Sequence, residues 1–169
     1  MSPRRSRTLC ALAGLMLIAG SAVAVAPPTI SAKAVKPVQA PYDEKADAHA
    51  QVAKAIADAK ANHKYVLLDF GGNWCPDCRV LAGVLSAPEV QGAVQSTFSV
   101  AMIDVGRFNK NMDIPKGYGV KVDGVPAVII LDPDGHFLNS GNPTALANAR
   151  EMTPQAIVDT VFGWTAPAH

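Results

Sequence analysis

The sequence has almost no net charge and only three cysteines. Among its 169 residues, 15 lysines and arginines balance 14 acidic residues, which leaves a formal net charge of +1. Without a basic excess the chain has little with which to hold a nucleic-acid backbone, and we expect no nucleic-acid partner. Apolar residues still make up 49% of the chain, and charged residues 17%. Length and composition therefore predict one globular domain and exclude a disordered chain.

The first 24 residues have the composition of an export signal. Three arginines and no acid precede an apolar run, residues 9–24, that ends in the small-x-small pattern Ala22-Val23-Ala24. We expect a signal peptide cleaved near Ala24, which makes the protein periplasmic or secreted. The alternative is an uncleaved N-terminal membrane anchor facing the periplasm, because the apolar run is close to the shortest length that spans a bilayer.

The rest of the chain is expected to form a tether and one domain. Residues 25–41 contain four prolines without helical or alternating periodicity, which predicts an extended tether. The domain follows over residues 42–169. Its apolar periodicity predicts helices at 43–63, 75–95 (bent near Pro88), 109–118 and 153–163, and strands at 65–70, 98–105, 125–131 and 136–140. This order predicts a mixed sheet with helices on both faces.

Cys10 lies in the predicted export signal. The other two cysteines, Cys75 and Cys78, have the spacing C-x-x-C. A disulfide between them closes too short a loop to stabilise the fold strongly. The pair lies where a predicted strand ends and a helix begins, and a helix N-terminus stabilises the reactive thiolate form of Cys75. Cys78, one turn further along, can then attack a mixed disulfide formed by Cys75. The spacing therefore predicts thiol-disulfide exchange.

Two further residues stand out near this pair. Asp69 is ionisable but lies inside an apolar strand, six residues before Cys75, where a carboxylate could exchange a proton with Cys78. The alternative is a structural, hydrogen-bonded Asp. Pro126 opens a predicted central strand, which a cis Val125-Pro126 bond at a ligand-facing turn would explain. The alternative is an ordinary trans proline.

These motifs, in this order, resemble the thioredoxin superfamily over roughly residues 43–164. The shared motifs are Asp69-Phe70, Trp74-Cys75-Pro76-Asp77-Cys78, and Gly124-Val125-Pro126 before an apolar strand and a glycine hairpin. The resemblance implies an α/β thioredoxin fold, with a central mixed sheet of four to five strands flanked by helices. It also implies the site residues: Cys75 as nucleophile, Cys78 as resolving thiol, Asp69 as buried proton acceptor, and Trp74, Pro76, Val125 and Pro126 in substrate binding.

The sequence departs from thioredoxins proper at three points. Gly71 stands where they usually carry a second bulky aromatic residue, and the cysteines enclose Pro-Asp in place of Gly-Pro. No lysine lies on the predicted strand 98–104 to pair with Asp69. Asp77 puts a negative charge between the two sulfurs, which a neighbouring Arg79 would offset. These differences bear on substrate choice and redox potential.

Together the residues and the resemblance predict an exported thiol-disulfide oxidoreductase acting on protein thiols and disulfides. A reductase or electron-delivery role is favoured, because the segment Ser86–Val90 is similar to periplasmic reductase domains of the superfamily. Such a protein needs an electron donor, for example a membrane disulfide reductase, and we expect it to be a monomer. The alternatives are a periplasmic oxidase or isomerase, and a non-catalytic thioredoxin-fold module that binds partners or carries metal.

We expect no metal and no cofactor. The four histidines have no fixed short spacing to the C-x-x-C pair that would complete a zinc site. Asp132-x-Asp134-Gly135 lacks the remaining ligands of a calcium loop and predicts a turn. Gly71-Gly72 lacks the further glycine and the lysine of a phosphate-binding loop.

Overall fold

The computed structural model describes residues 25–166. The predicted export signal, residues 1–24, lies outside the described residues. The elements are α1 (Ala48–Asn62), β1 (Tyr65–Gly71), α2 (Pro76–Leu85), α3 (Pro88–Thr97), β2 (Phe98–Asp104), α4 (Asp113–Gly117), β3 (Ala127–Leu131), a 3₁₀ turn (Ala149–Glu151) and α5 (Pro154–Gly163). Within residues 25–166, no helix is both long enough and apolar enough to cross a membrane.

The central sheet has the strand order β2-β1-β3. β1 runs parallel to β2 and antiparallel to β3, so the sheet is mixed, as predicted. Helix α1 covers one face, where it packs with Leu68 and Phe70, while α2, α3 and α5 cover the other, where they pack with Leu67 and Ile130. β1 is apolar on both sides because both of its faces are buried.

The predicted number of strands is wrong for the described part of the chain, which has three strands instead of four to five. The expected strand at 136–140 is reduced to a single bridge between Leu131 and Phe137. A buried side chain takes its place: Asn139 accepts a hydrogen bond from the Ile130 N–H and donates one to the Val128 carbonyl, each at 2.8 Å. The Asn139 amide and two backbone bonds, from the Leu138 N–H to the Ile130 carbonyl and from the Val128 N–H to the Pro143 carbonyl, together satisfy this edge of β3.

Local signals position the helices. Thr153 caps α5 by accepting a 3.1 Å hydrogen bond from the Ala156 N–H, and Pro154 occupies the first turn, where its missing N–H costs nothing. The predicted bend near Pro88 divides the expected helix into α2 and α3. Cys75 is the N-cap of α2, so the helix begins directly at the C-x-x-C pair.

The segment predicted as a tether contains no helix or strand, and it packs against the domain at several points along its length. We call residues 25–42 the N-terminal strap. Ile30 is buried and its N–H donates a 2.8 Å hydrogen bond to Gln155 in α5. Further along, the Val38 N–H donates to the carbonyl of Arg79 in α2 at 3.0 Å. Apolar side chains between the prolines therefore anchor the strap.

A glycine permits this close approach. A Cβ at position 83 in α2 would lie 2.6 Å from the carbonyl oxygen of Lys36, so only glycine lets the strap backbone touch the helix at this point. The strap ends at Tyr42, which is buried. The strap thus carries a large aromatic side chain into the domain beside the C-x-x-C pair.

Candidate active site

Cys75 and Cys78 form a disulfide at the start of α2, directly after β1 and its short connection. Their Cα atoms lie 5.3 Å apart. The backbone N–H of Cys78 points at the Cys75 sulfur over 3.1 Å, as expected for a side chain at a helix N-cap. Cys75 is 3% exposed and Cys78 is fully buried. Of the two sulfurs, Cys75 is therefore the one nearer to solvent.

The loop before β3 lies against this disulfide. The carbonyl oxygen of Val125 is 3.5 Å from the Cys75 sulfur, and the Val125-Pro126 peptide bond is cis. The antiparallel register pairs Phe70 of β1 with Ala127 of β3, which brings residues 125 and 126 beside the end of β1. The sheet thus joins two motifs that are 50 residues apart in sequence.

Trp74 and Pro76 flank Cys75 at the surface, and both are exposed. The Trp74 indole N–H donates a 2.6 Å hydrogen bond to the carbonyl of Gly106, in the loop after β2. Phe108 of the same loop meets the Trp74 ring edge-on, with ring centres 5.9 Å apart. The indole is therefore held in one orientation beside the disulfide.

Asp69 lies in the middle of β1, between Met102 of β2 and Val128 of β3, and is completely buried. Its Oδ2 accepts a 2.9 Å hydrogen bond from the phenol of Tyr42. Its Oδ1 has no hydrogen-bond partner among the described residues. Burial raises the pKa of Asp69 to about 7, although the bond from Tyr42 acts in the opposite direction.

The Tyr42 phenol is a proton donor throughout the physiological range. Burial and the neighbouring Asp69 carboxylate raise the pKa of Tyr42 far above its usual value. Two hydrogen bonds with the Asn73 side chain, each 3.0 Å long, fix the Tyr42 backbone beside the β1-α2 connection. The strap therefore presents a protonated phenol to a buried carboxyl group.

Gly71 makes room for this arrangement. A Cβ at this position would lie 2.6 Å from Cζ of Tyr42 and 2.8 Å from the Cys78 sulfur. The end of the Tyr42 ring and the Cys78 sulfur therefore border the same small space above β1. Tyr42 explains two departures from thioredoxins proper. Its ring fills the space that a bulky residue at 71 would occupy, and its phenol is the partner of Asp69 in place of a lysine on β2.

The charge of Asp77 is neutralised from a distant part of the chain. Asp77 is buried and accepts hydrogen bonds from the backbone N–H of Arg150, at 2.8 Å, and from its Nε, at 3.1 Å. Arg79, the expected partner, instead donates to the strap at the carbonyl of Val38 and the side chain of Gln39. Among residues 25–166, Arg150 and not Arg79 is therefore the side chain that bonds to Asp77.

Residues 47–133 match the family described as thioredoxin-like. The chain belongs to the thioredoxin-like family. A structure of a disulphide isomerase from Xylella fastidiosa Temecula1 is 43% identical, with a TM-score of 0.69 over 73% of this chain and 95% of that one. The predicted thioredoxin fold is thereby confirmed.

Two curated relatives are thiol:disulfide interchange proteins. DsbD 2 of Pseudomonas aeruginosa is 32% identical over 88 residues, which is 51% of this chain and 14% of that protein. The TxlA homolog of Synechocystis is 30% identical over 89 residues, 53% of this chain and 47% of that protein. This thioredoxin-like chain thus spans less than half the length of either relative. The family and the Cys75-Cys78 disulfide support the predicted enzyme class, thiol-disulfide oxidoreductase.

Six of the seven predicted site residues of this thioredoxin-like chain lie at one end of the sheet: Cys75, Cys78, Trp74, Pro76, Val125 and Pro126. The seventh, Asp69, lies within β1 and is connected to this end through Tyr42, which borders the Cys78 sulfur. Three further residues belong to the same region and were not predicted: Tyr42, Phe108 and Arg150. The unusual glycine at 71 and the missing lysine were the available signals for Tyr42. Nothing in the local pattern indicated Arg150, which is 73 residues from its partner.

Within the part of the chain that the structure describes, one group of possible metal ligands lies away from the disulfide. Single ligand atoms of Asp132, Asp134 and His136 lie within 4.8 Å of one another. The Asp132 carboxylate accepts hydrogen bonds from the backbone N–H groups of Asp134 and His136, and it pairs with the His136 ring at 2.8 Å. These bonds hold the tight turn that the sequence predicts after β3.

Proposed function

We propose that the protein reduces disulfides of partner proteins in the cell envelope, or delivers electrons to them, through the Cys75-Cys78 pair. The observation that carries this proposal is the disulfide at the N-terminus of α2, beside a loop that leaves Cys75 as the outer sulfur. The proposed roles are Cys75 as nucleophile, Cys78 as resolving thiol and Asp69 as proton acceptor.

The first step is the attack of the reduced protein on a partner disulfide. The Cys75 thiolate is stabilised by the start of α2 and by the Cys78 N–H, 3.1 Å away. It forms a bond to one partner sulfur, and the other partner sulfur leaves as a thiolate that takes up a proton from water. Trp74, Pro76 and the Val125-Pro126 loop surround Cys75 and would contact the partner chain at this stage.

The second step releases the partner. The Cys78 thiol gives its proton to Asp69, whose Oδ1 accepts no hydrogen bond in residues 25–166 and whose pKa of about 7 suits proton exchange near neutral pH. The Cys78 thiolate then attacks the Cys75 sulfur and displaces the partner's second thiolate. The partner gains two electrons, and the Cys75-Cys78 pair becomes a disulfide.

The surroundings of Cys75 support a reductant more than a strong oxidant. Strong oxidants of this type stabilise the reduced thiolate, which raises their reduction potential. Here the hydrogen-bonding neighbours of the Cys75 sulfur in the described part of the chain are one N–H and the carbonyl oxygen of Val125. The negative end of that carbonyl dipole disfavours a thiolate, and no cationic side chain is bonded to the sulfur there.

The place of action and the electron source are part of the proposal. The N-terminal sequence supports export, and the match to DsbD 2, a thiol:disulfide interchange protein, supports an envelope electron pathway. A membrane disulfide reductase would regenerate the dithiol after each cycle. A disulfide isomerase is the second candidate, because the Xylella fastidiosa protein with 43% identity carries that name.

Trapping of partners tests the proposal. In a Cys78→Ala variant Cys75 can attack a partner disulfide but cannot be released, so mixed disulfides should accumulate in cells and disappear on treatment with dithiothreitol. A Cys75→Ala/Cys78→Ala variant is the matched control and should trap nothing. If the single variant traps nothing under native conditions, and the wild type does not accelerate insulin reduction by dithiothreitol, the protein is a non-catalytic module.

A further inference from the structure

A strained loop holds an aromatic ring at the surface beside the disulfide. Phe108 is 39% exposed and Trp74 is 37% exposed, and they contact each other edge-on. Phe108 has a φ of +63°, in the left-handed region that non-glycine residues rarely adopt. Neither the left-handed backbone of Phe108 nor the exposure of its apolar ring stabilises the fold, so both features call for another explanation.

Hydrogen bonds within the loop maintain the backbone conformation of Phe108. The Arg107 N–H donates to the side chain of Asn109 at 2.8 Å, and the Asn111 side chain donates to the carbonyl of Asp104 at 2.8 Å. The Arg107 guanidinium lies 4.6 Å from the centre of the Trp74 ring. The loop is thus built to present Phe108 next to Trp74 with a positive charge beside them.

Phe108 also borders a cavity of about 530 Å³ whose lining includes neither cysteine. Its lining is mainly apolar and comprises Phe108, Met112, Lys116, Gly119, Val120, Lys121 and Val122. A cavity of this size accommodates several side chains of a bound peptide segment. Trp74 links the cavity to Cys75, because it contacts Phe108 in space and precedes Cys75 in sequence.

The segment that lines the cavity, residues 105–122, has a net positive charge, whereas the rest of the domain has a net negative charge. Segment 105–122 has four basic residues and one acid, Asp113, which pairs with His49 at 2.9 Å. Lys116 and Lys121 line the cavity and have no ion-pair partner among residues 25–166. The cavity therefore offers two cationic groups beside an apolar floor, which complements a carboxylate next to an apolar side chain.

We infer that the surface formed by Phe108, Lys116 and Lys121 binds an extended segment of the partner protein in which an apolar side chain is followed by acidic residues. The inference rests on the proposed function, because the same segment would carry the disulfide that reaches Cys75. The surface selects partners by their charge, whereas the C-x-x-C pair carries out the exchange.

The test compares two disulfide-bonded peptides that differ only beyond the cysteine, one with Leu-Glu-Glu and one with Leu-Lys-Lys. The measured quantity is the ratio of kcat/KM for the acidic peptide to that for the basic peptide, with the full-length mature protein as reductant. We expect a ratio above one for the wild type and a fall of about tenfold in K116E/K121E, mainly through KM. The control K54E/K60E makes the same charge change on α1 and should leave the ratio unchanged.

Other results would overturn the inference. A ratio of one in the wild type, or an equal fall in both double variants, would show that the cavity does not select acidic segments. Loss of self-association on K116E/K121E substitution, seen by analytical ultracentrifugation, would assign the surface to a second copy of the chain. Insulin reduction by the wild type separates this inference from the proposed function on which it rests. If insulin is reduced while the peptide ratio is one, only the inference is overturned; if neither insulin nor the peptides are reduced, the proposed function is overturned as well.

Discussion

The phenol of Tyr42 donates a 2.9 Å hydrogen bond to Oδ2 of Asp69 in the interior of the protein. Tyr42 comes from the N-terminal strap and Asp69 from the central strand, 27 residues later. The bond occupies one carboxylate oxygen and leaves the other without a partner in the described residues. The strap thereby takes part in the environment of the proposed proton acceptor.

Replacing Tyr42 with Phe should shift the pH dependence of the reaction. The variant keeps the ring but loses a hydrogen bond to the charged carboxylate, which is worth about 1.5 to 3 kcal/mol, so the pKa of Asp69 should rise by about one unit or more. Because Asp69 must be ionised to accept a proton, the acidic limb of the pH-rate profile for peptide reduction should move to higher pH by that amount.

Tyr65→Phe is the control for this experiment. It also removes a phenol's hydrogen bond, here a partly buried one to the carbonyl of Thr165 at 3.3 Å, but Tyr65 makes no hydrogen bond to Asp69. Its pH-rate profile should match that of the wild type. An unchanged pH-rate profile in Tyr42→Phe would mean that Asp69 does not take part in the rate-limiting proton transfer.

The stability of the oxidised protein should fall as pH rises from about 4 to 7. Burial raises the pKa of Asp69 from 3.8 to about 7, so the folded state holds the proton more tightly than the unfolded state in this range. The stabilisation is complete below pH 4 and is lost as pH rises through 7, by roughly 4 kcal/mol. Asp69→Asn has no titrating carboxyl group at this position. Urea unfolding should therefore show that its free energy of unfolding rises relative to that of the wild type between pH 4 and 7. Parallel curves would contradict the raised pKa.

Gly71→Ala should destabilise the fold. The new Cβ would lie 2.6 Å from the Tyr42 ring and 2.8 Å from the Cys78 sulfur, and overpacking of this kind typically costs about 1 to 3 kcal/mol. Gly92→Ala is a suitable comparison, because no atom lies within 4 Å of its Cβ and alanine favours the helix by about 1 kcal/mol. Denaturant titration should show a lower free energy of unfolding than the wild type for Gly71→Ala and a higher one for Gly92→Ala. Equal stability of Gly71→Ala and the wild type would mean that Tyr42 does not need this space.

Features with a local signal could be predicted from the sequence. Thr153-Pro154 marks the start of α5, and the junction of β1 with α2 at Cys75 follows from an apolar run, two glycines and a proline in the first turn. The mixed sheet follows from the lengths of its connections. The helix start and the junction depend on interactions within a few residues, which periodicity and capping patterns record.

Features that depend on one distant side chain could not be predicted in this way. The Asn139 amide takes over two of the hydrogen bonds that a further strand would make with β3, and Arg150 bonds to Asp77. The strap shows a related difficulty, because the burial of Ile30 and Tyr42 depends on partners far along the chain. Single apolar residues between prolines have no periodicity from which burial can be inferred.

The reduction potential of the Cys75-Cys78 pair tests the central claim most directly. The mature protein would be equilibrated in dithiothreitol or glutathione redox buffers and its thiols alkylated and counted. A potential near or below about −220 mV, in the range of thioredoxins and glutaredoxins, is the result expected of a pair that donates electrons. A potential of about −120 to −180 mV would contradict the account, because it would mean that the reduced form is stabilised, as in oxidases and isomerases.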